Sequence, residues 1–154
     1  MRSIPLLLAL AACHHEEPAQ TGWDDCAGMY AGEVEALRIV SFRSHGRLPE
    51  CDQGVVTVFT DNAAVEAFWQ AHSEVEHAAR PTLVAGQQMV CFTWYQDAWD
   101  DMEITSIRQS VVDAFDLAAR RSWWNDGFSA DTGFRNTELW VTPTGRVEVC
   151  DYEP

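Results

Sequence analysis

Lysine does not occur in this sequence of 154 residues, in which all ten basic side chains are arginines. They are opposed by 24 acidic residues, so the formal net charge is −14. A chain this acidic has too little basic surface to neutralise the phosphates of DNA or RNA. The same charge disfavours lying flat on an anionic bilayer. We therefore expect no nucleic-acid partner and a body that repels copies of itself.

The sequence also lacks an apolar run of the about 20 residues that a membrane-spanning helix needs. The run from Ile4 to Leu10 is much shorter, follows Arg2 and is followed by Ala11 and Ala12. A positive start, a short apolar segment and small residues before a cleavage point are the parts of a secretory signal peptide. Residues 1–12 are therefore predicted to be a removable leader. The alternative is a buried N-terminal helix or strand of a cytosolic domain.

The end of this leader, Leu10-Ala11-Ala12-Cys13, resembles the lipobox of bacterial lipoproteins. The resemblance implies that Cys13 is acylated and becomes the first residue of an exported protein. Its partner would then be the lipid bilayer, and attachment by more than one acyl chain is stable. His14 follows, where an aspartate would imply retention at the inner membrane of many Gram-negative species. The resemblance therefore implies the outer membrane in a Gram-negative cell.

Residues 13–25 read as a flexible tether between the lipid and a single domain at residues 26–154. The segment is polar, shows no periodicity and contains Pro18 and Gly22. A cluster of two histidines and two glutamates at 14–17 could bind a metal. A solvated linker is favoured, because nothing holds those ligands in a fixed geometry.

Four cysteines remain when Cys13 is assigned to the lipid: Cys26, Cys51, Cys91 and Cys150. Their spacing lacks the two-residue gap typical of zinc knuckles and thioredoxin-like motifs. Exported chains tend to pair their cysteines, so we predict two disulfides. Three connectivities are possible. The one favoured joins Cys26 to Cys51 and Cys91 to Cys150.

One helix is predicted at about residues 61–73, behind the helix caps Thr60, Asp61 and Asn62. It places Val65, Phe68, Trp69 and His72 on one apolar stripe, and this stripe is expected to cover one face of a sheet. 

Six strands are expected from β-branched and aromatic runs, at 36–43, 55–59, 89–95, 102–108, 138–141 and 146–150. The last two are predicted to form a hairpin through Pro143 and Gly145. Residues 111–121 fit a helix or a strand, with the strand slightly favoured. Neighbouring strands joined by loops predict a mostly antiparallel sheet, and with one helix the fold class is α+β.

The order of these elements is similar to the small domain of some bacterial protease-complex lipoproteins. The similarity consists of a strand, an Asp-capped helix carrying Phe68 and Trp69, and a run of strands ending in a hairpin. The glycine-rich motif associated with that family is absent after Tyr95. The resemblance implies only an α+β fold.

Two groups of residues are candidates for binding. Tryptophan is abundant, with seven residues, and Trp99, Trp123 and Trp124 are predicted to lie in loops. Exposed tryptophans are typical of surfaces that bind sugars or proteins. The alternative is that these rings fold back under a long loop at 121–135 and pack on the core. 

The second group is an acidic loop whose carboxylates are weak candidates for holding Ca²⁺. Its residues are Asp97, Asp100, Asp101 and Glu103. The ordered spacing of an EF-hand loop is missing, so a solvated acidic loop is favoured.

Complete catalytic patterns are missing. His72 and His77 do not form the His-Glu-x-x-His pattern of zinc proteases. Residues 127–131 lack the second glycine of a nucleophile elbow. The sequence thus predicts a lipoprotein without enzymatic activity or cofactor, whose domain is structural or binds a protein of the cell envelope. The alternative is a module that binds carbohydrate or Ca²⁺ through its tryptophan-rich and acidic loops.

Overall fold

The computed structural model describes residues 23–44, 50–51, 56–96, 100–125 and 134–153. Within them, nine strands form two sheets and one α-helix covers the smaller sheet. The elements are β1 (Trp23–Asp24), β2 (Tyr30–Glu33), β3 (Leu37–Ser44), β4 (Val56–Phe59), α1 (Asn62–Ala71), β5 (Gln87–Gln96), β6 (Asp100–Ser110), β7 (Leu117–Asn125), β8 (Phe134–Pro143) and β9 (Val147–Glu153). The predicted α+β class is confirmed, but the strands form two sheets rather than one sheet of six.

The larger sheet has the strand order β1-β9-β7-β6-β2, and the smaller sheet has the order β3-β8-β5-β4. Every pair is antiparallel except β7 with β9. The strands β1 and β2 were not predicted. β1 lies within residues 13–25, which the sequence indicated as tether.

The predicted hairpin at the C-terminus is wrong, because β8 and β9 belong to different sheets. The turn between them is held by distant residues. The Gln88 side chain donates to the Gly145 carbonyl at 2.8 Å and accepts from its amide at 3.2 Å. The Asp116 carboxylate accepts from the Arg146 amide at 2.8 Å, beside the start of β7. These contacts direct the chain out of one sheet and into the other.

The predicted helix is confirmed, although it begins one residue later and ends two residues earlier. The Asp61 carboxylate caps it by accepting from the Ala64 amide at 2.8 Å. Val65 and Phe68 are buried on the face that packs against the smaller sheet. The Phe68 ring lies 5.4 Å from that of Phe59 in β4. Apolar burial of this stripe, rather than helix propensity alone, holds the short helix in place.

β5 is buried on both faces, so it separates two apolar cores. Met89 and Cys91 point to the helix, whereas Val90, Phe92 and Trp94 point to the larger sheet. This alternation follows from the two-residue period of a strand. The molecule therefore has three layers: α1, the smaller sheet and the larger sheet.

The disulfides join Cys26 to Cys150 and Cys51 to Cys91, with Cα–Cα distances of 5.4 and 5.9 Å. The prediction of two disulfides is confirmed, but the favoured connectivity is wrong. Residues 23–25 run beside β9, where the Asp25 amide donates to the Asp151 carbonyl, and this places Cys26 beside Cys150. Strand pairing between distant segments, not separation in sequence, selects the partners.

The ambiguous stretch 111–121 divides at Leu117. Residues up to Asp116 form a turn, and the strand that was slightly favoured begins at Leu117. β7 then continues to Asn125, so the loop predicted at 121–135 is shorter than expected on both sides. Residues 126–133 lie outside the described part of the chain.

Candidate functional site

A carboxylate is buried between the two sheets. Glu138 lies on β8 at a position that faces the larger sheet, and its side chain is fully buried. Its Oε1 accepts from the Ile104 backbone amide at 3.1 Å, and its Oε2 accepts from the Trp140 indole at 2.8 Å. Both oxygens therefore have donors supplied by the protein, as a buried carboxyl requires.

These contacts complete the hydrogen bonding of a strand edge. β2 pairs with β6 only near Arg108 and Ser110, leaving the preceding part of that edge without a neighbouring strand in the described sheet. Along it, the Asn136 side chain donates to the Met102 carbonyl at 3.1 Å, and Glu138 accepts from Ile104. Side chains of β8 thus take the place of a missing strand, which satisfies the edge and joins the sheets.

Burial raises the pKa of Glu138 above its usual value of 4.5. The bonds from the Trp140 indole and the Ile104 amide and the nearby Arg38 cation act in the opposite direction, but desolvation is the largest cause. The protein environment thus favours the neutral acid more than water does.

An open groove of about 360 Å³ is lined by three residues that contact this carboxylate, Arg38, Ile104 and Trp140. Its lining is Leu37, Arg38, Glu103, Ile104, Thr105 and Trp140. The Arg38 Nη1 atom is 3.5 Å from Glu103 and 3.9 Å from Glu138. Two carboxylates in different environments are the parts of an acid–base pair. However, both oxygens of Glu138 are occupied by donors and its side chain is fully buried, so the arrangement is better suited to holding the edge of β6.

A second polar region lies between the sheets, beside β4 and β9. Arg121 in β7 forms an ion pair with Asp151 in β9, with 2.7 Å between Nε and Oδ1. The Arg121 guanidinium carbon also lies 6.0 Å from the centre of the Trp94 ring. The aromatic partner of this arginine is thus a ring on the facing sheet.

The structure brings the two predicted groups of site residues onto adjacent strands. Trp123 and Trp124 lie in β7 rather than in a loop, and Asp101 in β6 is in register with Trp124. Asp100 is in register with Asn125 in the same pair of strands. Trp99 and Asp97 lie outside the described residues.

Glu103, the last weak Ca²⁺ candidate, lies further along β6 and pairs with Arg38. A cation partner at this position makes Glu103 a poorer ligand for a metal. The ligand atoms of Asp25, Cys26 and Cys150 lie close enough together to hold a metal ion, but both cysteine sulfurs belong to a disulfide. 

The histidines of the rejected zinc pattern each lie beside a carboxylate. The His72 Nε2 atom is 2.8 Å from Glu50, and His77 is 3.3 Å from Glu76. His72 is also packed against the Phe68 ring, with 4.6 Å between the ring centres. They are thus held by different glutamates and do not converge on one site.

Sequence analysis did not identify Glu138, Asn136 or Arg38 as site residues. A signal for Glu138 was present, since this residue begins the predicted strand at 138–141, whose other three residues are apolar. A charged residue at a core-facing strand position indicates a partner on a neighbouring element. Naming Ile104 as that partner requires the packing of the two sheets.

Cys13 lies outside the described residues, so its lipidation stays a prediction. Among the residues that the structure does describe, no helix has the length and apolar character needed to cross a membrane. No protein-family model matches this chain, and neither a curated protein nor a solved structure matches it.

Proposed function

We propose that this chain is an exported lipoprotein, anchored through Cys13, whose domain acts by binding a partner in the cell envelope and not by catalysis. The observation that carries the proposal is the pairing of four of the five cysteines in two disulfides. The fifth is Cys13, the residue that follows the lipobox-like Leu10-Ala11-Ala12.

The placement of the disulfides supports export. All four cysteines are buried, and the two bridges join elements distant in sequence. Such structural disulfides are typical of oxidising compartments outside the cytosol. Cys26–Cys150 ties the first strand region to the last strand, close to where a tether from Cys13 would enter the domain.

The proposal that the domain does not act by catalysis rests on Glu138, which has the features of a catalytic acid more than any other described residue. A buried carboxyl with a raised pKa is a candidate general acid. In Glu138, however, both oxygens are bound by donors of the fold, and Asn136 beside it has the same task on Met102. Glu138 and Asn136 therefore connect the two sheets through hydrogen bonds.

The test of anchoring compares the wild-type protein with Cys13→Ser and with the matched tether control Ala19→Ser. We expect the wild type and the control to begin at Cys13, carry acyl mass and sediment with membranes. Cys13→Ser should lack acyl mass and remain uncleaved. Intact-mass analysis and membrane fractionation measure both. A wild-type protein that starts at Met1 without acyl mass contradicts the proposal.

The test of partner binding uses cross-linking on intact cells, followed by purification from solubilised membranes. We expect one protein to be cross-linked to the wild type. The same protein, added without cross-linker, should be retained by the folded domain and not by the domain unfolded by reduction. Its retention by the reduced, unfolded chain would contradict recognition by the folded domain.

A second candidate function is the binding of Ca²⁺ or carbohydrate at the end of the β6–β7 pair. It is favoured by the register that sets Asp101 opposite Trp124 and Asp100 opposite Asn125. A ligand that binds only the folded state raises the melting temperature. Asp100→Asn/Asp101→Asn is the test variant, and Asp113→Asn, in the turn at the other end of this pair, is the control.

For Ca²⁺, we expect a rise in melting temperature at about millimolar concentration in the wild type and the control, but not in the test variant. A panel of soluble oligosaccharides provides the other arm. No shift with either class of ligand would rule this function out.

A further inference from the structure

Exposed apolar side chains gather at one end of the larger sheet. Val111 and Val112, which are 57% and 36% exposed, lie in the turn between β6 and β7. Met29, 38% exposed, directly precedes β2, which pairs with the end of β6. We call these three residues the apolar tip. The other large apolar residues of similar exposure lie on separate elements: Leu37 in β3, Val58 in β4 and Val84 in the loop before β5.

The backbone holds the apolar tip in one arrangement. The Val111 amide donates to the Met29 carbonyl at 2.9 Å, which joins the two segments of the tip. Tyr30 and Phe115, which follow these segments, pack on the buried disulfide beside β9. A small local shift therefore cannot bury the three side chains. A group of apolar side chains held at the surface in this way indicates contact with another apolar surface.

The segments that form the tip carry little charge. Residues 26–30 and 110–115 contain one charged side chain, Asp113, although the chain as a whole has a net charge of −14. A charged protein surface would find few ionic partners at this end of the sheet. An uncharged apolar phase can approach here while few charges lose their water. Charge thus favours a lipid surface over a charged protein surface as the partner of the tip.

The length of the tether is compatible with such a contact. Trp23 pairs with Glu153 at the end of β9, whereas Val147 at its start lies opposite Leu117, on the side of the tip. The six residue steps of β9 separate these two ends by about 20 Å. The ten residue steps from Cys13 to Trp23 reach at most about 35 Å. The tip can therefore face a bilayer that holds Cys13, and the domain stays close to that bilayer.

We propose that the apolar tip inserts into the interface of the bilayer that holds Cys13, and that this second contact sets the orientation of the anchored domain. The inference rests on the proposed anchoring. Burial of the exposed half of one such side chain favours contact about fivefold, so the three together favour it about a hundredfold. This is enough to orient a domain that its tether already keeps at the membrane, but too little to bring a free domain there.

The test follows oxidation of the Met29 sulfur by hydrogen peroxide in the unaltered, acylated protein, measured by mass spectrometry. One sample uses vesicles of phosphatidylcholine, and the other uses equal parts of phosphatidylcholine and phosphatidylglycerol at low salt. We expect oxidation at least about tenfold slower in the first, because the charge of −14 lifts the tip from an anionic bilayer. Sodium chloride at about 0.5 M should slow oxidation in the second sample by screening this repulsion.

A pair of double substitutions locates the contact. Val111→Ser/Val112→Ser should speed the oxidation of Met29 at least about tenfold in phosphatidylcholine vesicles. Leu37→Ser/Val84→Ser removes two exposed apolar side chains elsewhere and should change nothing. Met89 is fully buried, so its sulfur should stay unoxidised in every folded sample. The comparison of vesicles uses the unaltered protein and remains decisive if a variant fails to fold.

Oxidation of Met29 that depends neither on vesicle composition nor on Val111→Ser/Val112→Ser would overturn the proposal. Slow oxidation on intact cells together with fast oxidation in both kinds of vesicle would show that a protein covers the tip, and this would also overturn it. A wild-type protein without acyl mass would overturn the anchoring and the orientation together. The other outcomes, found with acylated protein, would overturn the orientation alone.

Discussion

The smaller sheet is covered on both faces, but the two covers are held by different interactions. On one face, α1 contributes Val65 and Phe68 to an apolar core that also contains the Cys51–Cys91 disulfide. On the other face, the larger sheet contributes apolar residues together with hydrogen bonds to Glu138 and Asn136 of β8. The helix is held by apolar packing and a covalent bond, whereas the larger sheet is held by apolar packing together with hydrogen bonds between polar groups.

The difference follows from the backbone of each covering element. A helix satisfies most of its own N–H and C=O groups, so α1 can present an apolar stripe alone. A sheet has edges whose groups need partners. Since β2 covers β6 only near Arg108 and Ser110, the groups of Met102 and Ile104 must be satisfied by side chains. Polar residues occur in this core because the core contains a strand edge whose backbone groups need hydrogen-bond partners.

The largest effect is expected on the helix face, from the double substitution Cys51→Ala/Cys91→Ala. The bridge closes a segment of 40 residues, and chain entropy predicts a loss of about 4 kcal/mol in the free energy of unfolding. Denaturant unfolding at several pH values measures it. The loss should be the same from about pH 5 to about pH 8, because disulfide cysteines do not titrate. A strong pH dependence would contradict the division between the two faces.

A smaller, pH-dependent effect is expected on the other face, from Glu138→Gln. The glutamine can accept from one of the two donors but presents an N–H to the other, which costs about 1–3 kcal/mol near pH 4. Burial raises the pKa of Glu138, so its contribution to stability is complete below the unfolded value of 4.5 and is lost as the pH rises through the folded value. The cost of Glu138→Gln should therefore shrink towards neutral pH.

Unfolding of the wild type and Glu138→Gln in parallel isolates this group from the other carboxyls. Glu74→Gln, in the short turn that follows α1 and away from the larger sheet, serves as the control for the loss of one carboxyl. A cost of Glu138→Gln that grows between about pH 4 and about pH 7 would reverse the assigned direction of the pKa shift.

Sequence predicted those elements whose signals lie within a few residues. The cap Asp61 and the stripe of Val65 and Phe68 belong to one short segment, and the apolar run of β5 is continuous. The division into two sheets was not predicted, because the turn after Pro143 is held by Gln88 and Asp116, which lie 57 and 30 residues from their partners.

The site shows the same limit. Asp101 and Trp124 were selected for their chemistry, but their position opposite each other depends on the register of β6 and β7. Glu138 was missed because its donors come from Trp140 and from Ile104, 34 residues away. Local sequence indicates which groups carry chemistry, and strand pairing decides which of them meet.

The free energy of unfolding should fall by about 1 kcal/mol in Asp61→Ala, which removes the polar cap on the helix face. The aspartate caps α1 at its exposed start, and its loss leaves the Ala64 amide to water. Asp61→Asn keeps the oxygen acceptor and should cost only a few tenths of that value. Thermal unfolding at neutral pH measures both variants. Equal losses would show that charge rather than capping stabilises the helix.

The last comparison is between two substitutions on the inter-sheet face, Trp94→Phe and Trp140→Phe. Both rings are buried on the inter-sheet face and lose the same volume, but only Trp140 donates to a group of the fold, Glu138. Removing that donor leaves a carboxylate oxygen unpaired, whereas removing the Trp94 donor relieves an unmatched group. Trp94→Phe should therefore cost about 1 kcal/mol less than Trp140→Phe, measured by denaturant unfolding. If Trp94→Phe costs more than Trp140→Phe, the Trp94 indole must have a hydrogen-bond acceptor in the folded protein. The polar groups beside Arg121 would then be as fully hydrogen-bonded as those at Glu138.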